Sequence, residues 1–183
     1  MNIPEQFFLD IMHVSFLGTL ERLLTLWCKE FRNENNQKNK FYLNPREKKE
    51  IDQLAIKVKY PNEIKRHQRE ITENLGDLKA NEYKNIIFYL IPLFKPFLKK
   101  EYFNHFAAYA TALRIMCTPK ISKDDLKDAY LLMDFFVKKF AVLYGLVNMD
   151  YKVHVHLHLA LQVLNYGSLI FLTCFIFEGK NPN

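Results

Sequence analysis

Hydrophobic residues recur at the three-to-four-residue spacing of an α-helix along most of this chain. Between residues 10 and 31 the apolar positions keep this period and polar residues take the other side. The same pattern predicts further helices over 45–58, 77–98, 102–117, 123–145 and 152–166. We therefore expect an all-α fold with about six to eight helices.

Capping residues mark several of the predicted helix ends. Asn44 and Ser122 are good N-caps, because their side-chain oxygens can accept hydrogen bonds from the first free N–H groups of a helix. Gly145 and Gly167 are placed to end the two last helices, where a left-handed residue is often needed. Two prolines inside 77–98 should kink or split that helix.

The chain has the length and composition of one helical domain. Its 183 residues can bury a core, and 49% apolar and 15% aromatic residues argue against disorder. We predict a single domain over 1–183 with a flexible polar loop near 32–44, where periodicity is lost. Four aromatic side chains are expected in the core rather than stacked on bases: Trp27, Phe103, Phe106 and Tyr151.

A net charge of +6 makes an acidic partner such as DNA plausible, although many helical proteins are equally basic. The densest basic run lies between residues 57 and 69. A solvated loop explains this run as well as phosphate contact does. The candidate DNA-binding residues are Lys57, Lys59, Lys65, Arg66 and Arg69.

Several features indicate where the protein is found. No secretory signal is visible near the first residues, and no apolar run is long enough to span a bilayer. The three cysteines are odd in number and lack metal-like spacing, which favours a reducing compartment. We expect a nuclear or cytoplasmic protein with no membrane partner.

The residues by themselves offer no complete active site. His154 and His158 would share one helix face and could bind zinc, but a glutamate between them and a third ligand are missing. We therefore expect polar positions on a packed helix here, and no metal ligands. No glycine-rich phosphate loop is present.

Ordered motifs run through nearly the whole chain. The segment 9–27 contains D-x-M-H followed by L-G-x-x-x-R-L-L-x-L-W, and 144–154 contains Y-G-x-x-N-M-x-Y-x-V-H. Shorter motifs are L-K-A-N-E-Y at 78–83, Y-F-N-H-F at 102–106, A-L-R-I-M at 112–116, Y-G-S-L at 166–169 and C-F-I-F-E at 174–178. In this order they resemble CACTA-type (En/Spm-like) DDE transposases and the host proteins derived from them. The chain departs from the family pattern at Leu78, where the family has Trp, and at Ser168 and Ile176, where it has Pro.

The resemblance implies a helical insertion domain of an RNase H-like transposase. Asp10 and His13 would then lie near the entry of the insertion, and Glu178 would be the last acid of the D-D-E set. The intact family enzyme uses Mg²⁺, which needs several converging carboxylates. Since the strands that carry the other acids are expected to be absent, we expect no cofactor for this chain and no activity by the chain alone. Its partners would be DNA, bound non-specifically, a missing catalytic core, or a second copy.

Other interpretations of these residues stay open. Asp10 can be a helix N-cap, His13 a half-buried imidazole, and Glu178 a plain terminal acid. The alternative function is a helical protein–protein interaction module with no nucleic-acid role.

Overall fold

All regular secondary structure in the computed structural model is helical, which confirms the all-α prediction. The structure describes residues 8–30, 39–61, 64 and 67–174, and within these ranges there are six continuous helices and no strand. In chain order the helices are α1 (π-helix Met12–Leu20, then Glu21–Cys28), α2 (Pro45–Ala55), α3 (Ala80–Asn85, π-helix Ile86–Leu90, then 3₁₀ Ile91–Phe94), α4 (Lys100–Met116), α5 (Lys123–Tyr144) and α6 (Tyr151–His154, 3₁₀ Val155–His158, then Leu159–Tyr166). Short 3₁₀ turns, Leu146–Asn148 and Leu169–Phe171, flank α6.

Both predicted N-caps form. The Asn44 side chain accepts hydrogen bonds from the N–H groups of Arg46 and Glu47, and the Glu47 carboxylate accepts from the Asn44 N–H in return. The Ser122 hydroxyl oxygen accepts from the Asp125 N–H at the start of α5. These bonds satisfy donors that the first helical turn leaves without a backbone partner.

The helices also end where the sequence indicates. Gly145 (φ 89°) and Gly167 (φ 87°) follow α5 and α6 in conformations that residues with a Cβ rarely adopt. Pro92 lies in the 3₁₀ turn that finishes α3, because its ring cannot continue an α-helical ladder. The predicted interruption of the segment 77–98 is therefore confirmed.

The most extensive helix pairing in the described part is that of α4 with α5. Its centre is Phe136, which stacks on Tyr109 (centroids 4.4 Å apart) and on His105 (4.5 Å apart). All three side chains are fully buried. Short-range aromatic packing thus joins two helices that are neighbours in the sequence.

A second aromatic group forms the centre of the core. Trp27 of α1 packs against Phe94 of α3 and Phe106 of α4, at centroid distances of 5.8 and 5.1 Å. The core placement of Trp27 and Phe106 is confirmed, and Phe103 packs on the core while partly exposed. The expectation for Tyr151 is wrong: it is 72% exposed, because the first residue of α6 faces away from the other helices.

Part of the predicted polar loop is packed. Leu43 is buried and its N–H donates to the carbonyl oxygen of Trp27, while Phe41 contacts Tyr102 and Tyr144 edge to face. Residues 32–38 of that loop lie outside the described residues. None of the helices in the described ranges is long and apolar enough to cross a membrane.

Candidate functional site

The first motif-bearing segment, 9–27, lies beside α6 and Cys174. Four sets of hydrogen bonds join the start of α1 to α6 and its flanks, across more than 120 sequence positions. We call this contact the α1–α6 seam. It consists of Leu9, Asp10, Ser15 and Arg22 on one side and Asn148, His156, Gln162 and Cys174 on the other.

Asp10 and His13 form the exposed end of the seam. Oδ2 of Asp10 lies 2.5 Å from Nδ1 of His13, one turn further along α1. Oδ1 of the same carboxylate accepts hydrogen bonds from the N–H groups of Cys174 (3.1 Å) and Met12 (3.3 Å). The bond from Met12 is the local contact expected of a carboxylate at a helix start, whereas the bond from Cys174 comes from the far end of the chain.

The surroundings of Asp10 favour its charged form. Burial by itself would raise the pKa of Asp10, but the N–H of Cys174, the imidazole of His13 and the N–H of Met12 together lower that pKa below its usual value. The segment before it is fixed as well, since the Gln162 amide donates to the Leu9 carbonyl and accepts from the Leu9 N–H. Asp10 is therefore a preorganised carboxylate.

A buried polar network lies one turn below. His156 Nδ1–H donates to the Lys152 carbonyl oxygen (2.7 Å), so its Nε2 is the acceptor that the Ser15 hydroxyl reaches at 2.9 Å. The Tyr109 hydroxyl donates to the Ser15 carbonyl oxygen and lies 3.3 Å from the same Nε2. Burial lowers the pKa of His156 to about 4, so the imidazole is neutral at pH 7. Because the network is closed to solvent, it holds α1, α4 and α6 in register and offers no access to a substrate.

Close packing at Gly18 supports the same contact. Gly18 of α1 faces Lys152 of α6, and a Cβ at this glycine would lie 3.0 Å from the lysine side chain and 2.8 Å from the His13 carbonyl oxygen. Further along, Arg22 donates to the backbone oxygen (2.9 Å) and the side-chain oxygen (3.2 Å) of Asn148. The seam thus reaches from Leu9 to Arg22.

No family model, curated protein or solved structure matches the chain. The resemblance to CACTA-type transposases therefore depends on the sequence motifs alone and stays a prediction. The geometry of the described residues is the independent basis for assigning a function.

The candidate DNA-binding residues do not form one described surface. Lys57 and Lys59 are exposed just after α2. Arg69, by contrast, donates from Nε and Nη2 to the fully buried Glu82 carboxylate at 2.8 Å each and lowers the pKa of Glu82. Its guanidinium therefore already has a charged partner within the fold. Lys65 and Arg66 lie outside the described residues.

The sequence-predicted catalytic residues are only partly placed. Asp10 and His13 lie together, while Glu178 lies outside the described residues. His154 and His158, the pair singled out by spacing, have ring centroids 6.1 Å apart. In the described ranges they belong to no group of three possible metal ligands.

Sequence reasoning missed the residues that complete the seam. Ser15 and Gln162 are polar residues at helix positions that face the core. Buried polar side chains nearly always have a hydrogen-bond partner. That signal could have identified both of them. Cys174 gave no signal, because its proximity to Asp10 depends entirely on how the chain returns to α1.

One group of possible metal ligands occurs within the described residues. The ligand atoms of Asp10, His13 and Cys174 all lie within 4.8 Å of one another. The Mg²⁺ implied by the resemblance is bound by oxygen atoms, often with several waters. A donor set with one carboxylate, one imidazole and one thiol does not fit Mg²⁺. These three residues alone are therefore not a magnesium site.

Proposed function

We propose that this chain is a transposase-derived helical domain, the helical insertion of a DDE-type enzyme. By itself it does not cleave DNA, and it contacts DNA non-specifically through lysine and arginine side chains. Asp10, His13 and Glu178 are then inherited positions of a catalytic core that is supplied, where it exists, by other parts of a larger enzyme.

The observation that carries this proposal is the hydrogen bond from the Cys174 N–H to Oδ1 of Asp10, between positions 164 residues apart. A domain inserted into a core leaves it and returns to it at neighbouring points, so its two borders lie together. Asp10 belongs to the entry motif of the resemblance, and Glu178 follows Cys174 by four positions in the sequence. The contact between Asp10 and Cys174 therefore supports the proposal, because it brings the residues near the two borders together.

The absence of activity is supported by the ligand chemistry of the seam. Two-metal phosphoryl transfer needs several carboxylates around the ions. Among the described residues, Asp10 contributes the one carboxylate of the ligand group found there. One carboxylate cannot hold two ions.

The activity part is tested with supercoiled plasmid, the purified full chain and Mg²⁺ or Mn²⁺. We expect no nicked product above a buffer control. Nicking that disappears in both Asp10→Asn and Glu178→Ala, while Asp134→Asn leaves it unchanged, would overturn the proposal of an inactive domain. Asp134 is a matched control because its carboxylate pairs with Lys138 on the surface of α5.

The DNA part is tested by fluorescence anisotropy with a labelled duplex over a range of salt concentrations. We expect the affinity to fall with salt, with a log–log slope of roughly −0.9 per phosphate neutralised. The double variant Lys57→Glu/Lys59→Glu should bind more weakly and with a shallower slope than Lys99→Glu/Lys100→Glu, whose lysines are also exposed. Binding that is absent at low salt, or equal in the two double variants, would contradict a DNA-binding role of Lys57 and Lys59.

Arg69 is left unchanged in this test, because its removal would leave the buried Glu82 carboxylate without its charged partner.

A protein–protein interaction module is the second candidate function. It is favoured by an apolar groove of about 410 Å³ between α5 and α6, lined by Leu126, Tyr130, Leu157 and Leu164. If this groove pairs two copies, sedimentation velocity should show a dimer that Leu164→Glu dissociates. A chain that stays monomeric at high concentration while binding DNA would exclude self-association and leave the first proposal standing.

A further inference from the structure

We propose that Asp10, His13 and Cys174 bind one zinc ion, which fastens the start of α1 to the segment after α6. The three side chains bring carboxylate, imidazole and thiol donors within 4.8 Å of one another. This is a set of three protein ligands from two distant parts of the chain, with a fourth position left for water.

Binding a zinc ion would change the distances between the three ligand atoms by about 1 Å. Zinc bonds of about 2.0 Å to oxygen and nitrogen and about 2.3 Å to sulfur place these ligand atoms roughly 3.3 to 3.5 Å apart in a tetrahedral site. Oδ2 of Asp10 and Nδ1 of His13 are 2.5 Å apart, because a hydrogen bond joins them and its proton lies between the two atoms. An ion that displaces this proton would separate these two atoms by about 1 Å and draw the Cys174 sulfur inward, shifts that side-chain rotations supply.

The carboxylate is already oriented for such an ion. Its Oδ1 accepts from the backbone N–H groups of Cys174 and Met12, which leaves Oδ2 directed at His13. Hydrogen bonds to the second oxygen of a ligating carboxylate are typical outer contacts of metal sites. The Gln162 amide fixes Leu9 just before it, so the ligand cannot swing away with its backbone.

The site is open to solvent on one side. The His13 side chain is 58% exposed and that of Asp10 is 18% exposed. An ion can therefore enter without unfolding, and a water molecule can take the fourth position. Zinc is the expected ion because thiolate and imidazole ligands favour it, whereas Mg²⁺ and Ca²⁺ take oxygen.

The other cysteines do not compete for the ion. Burial raises the pKa of both Cys28 and Cys117 to about 12, so neither readily forms the thiolate that binds metal. Cys174 does not form a disulfide, and within the described residues it is the cysteine that lies beside other ligands. A sulfur-to-metal signal would therefore report Cys174.

The test is a Co²⁺ titration of the metal-free full chain, because thiolate-bound cobalt absorbs in the near ultraviolet. We expect one equivalent to produce this absorption and Zn²⁺ to abolish it by displacement, with no effect of Mg²⁺. Zinc should also raise the melting temperature, as any ligand of the folded state does.

Variants decide which residues bind. Cys174→Ser should remove the near-ultraviolet absorption, whereas Cys28→Ser should retain it. His13→Ala should weaken zinc binding more than about tenfold, and the exposed His154→Ala should leave it unchanged. Both histidine variants change exposed side chains, so their folding can be verified by circular dichroism. Absorption that persists in Cys174→Ser, or no absorption in the unaltered chain, would overturn the proposal. Neither result bears on DNA binding.

Discussion

The α4–α5 pair and the α1–α6 seam are held together by different kinds of contact. The α4–α5 pair joins sequence neighbours through the stacked rings of His105, Tyr109 and Phe136. The seam joins residues more than 120 positions apart through directional hydrogen bonds such as Ser15 to His156. Apolar burial has no directional requirement, whereas a buried hydrogen bond that is lost leaves its groups desolvated and without a partner. We infer that the α4–α5 pair is stabilised mainly by packing, whereas the polar contacts of the seam fix the register of α1 and α6.

Acidification should affect both regions, and it is the largest effect that we predict. Each region holds one buried neutral histidine, His105 or His156, and burial lowers both pKa values from 6.5 to about 4. The unfolded chain then binds more protons than the folded one between pH 6.5 and 4. Stability therefore falls as the pH decreases through this window, by up to about 3 kcal/mol for each histidine.

Urea unfolding at a series of pH values measures this loss. The variants His105→Phe and His156→Phe should each reduce the pH dependence, because each removes one buried imidazole. A free energy of unfolding that stays constant between pH 7 and 4.5 would show that neither buried histidine is held neutral.

Phe136→Ala should strongly destabilise the α4–α5 pair. The ring is fully buried, and its loss leaves a cavity between Tyr109 and His105 that costs about 3–5 kcal/mol. The neighbouring Phe135 is 42% exposed, so Phe135→Ala should cost less than about 1.5 kcal/mol. Chemical denaturation compares the two variants, and equal losses would contradict the central role of Phe136.

Replacing each buried histidine by phenylalanine measures how much its hydrogen bonds contribute to the stability of the α4–α5 pair and of the seam. His156 has both ring nitrogens hydrogen-bonded, so His156→Phe strands the Ser15 hydroxyl and should cost about 2–3 kcal/mol. His105 donates to the Phe136 carbonyl, but its Nδ1 has no partner among the described residues. His105→Phe removes that unsatisfied nitrogen and should cost under about 1 kcal/mol. Thermal unfolding compares the two losses of stability. A larger loss for His105→Phe than for His156→Phe would contradict the inference that hydrogen bonds matter more in the seam than in the α4–α5 pair.

Arg22→Ala tests the end of the seam that lies opposite to Asp10, and its effect is smaller than that of His156→Phe. The Arg22 side chain is 33% exposed and makes two hydrogen bonds to Asn148, so its loss should cost about 1–2 kcal/mol. Arg46, which is 89% exposed and pairs with Glu50 on α2, is the matched control and should cost under about 0.5 kcal/mol. If urea midpoints shift equally for both, the seam contributes nothing beyond surface charge.

The helices could be predicted from the sequence because their causes are local. The capping contacts of Asn44 and Ser122, and the glycines after α5 and α6, act within a few residues of one another. The sequence did not predict the π-helical segments of α1 and α3. Apolar residues spaced about 3.6 positions apart are compatible with both an α-helix and a π-helix. Tyr151 was assigned to the wrong environment, because composition does not say which face of α6 is covered.

Of the candidate site, the sequence analysis named Asp10 and His13 but not the distant residues that contact them. Asp10 precedes α1 by two residues and His13 lies in its first turn, so the two side chains are close because they are close in the sequence. The interpretation of Arg69 as a phosphate contact has to be weighed against its pairing with Glu82, thirteen residues away, which no local pattern indicates. Cys174 and Gln162 entered the site only through the structure.

From the sequence alone it follows that this protein is helical and where most helices begin and end, since both depend on spacing and capping within one or two turns. Only the tertiary structure decided that Cys174 reaches Asp10, that His156 rather than His154 or His158 is the buried histidine, and that Gln162 holds Leu9. These contacts join positions more than 100 residues apart. Their formation depends on the packing of all six helices, and no spacing in the sequence encodes that distance.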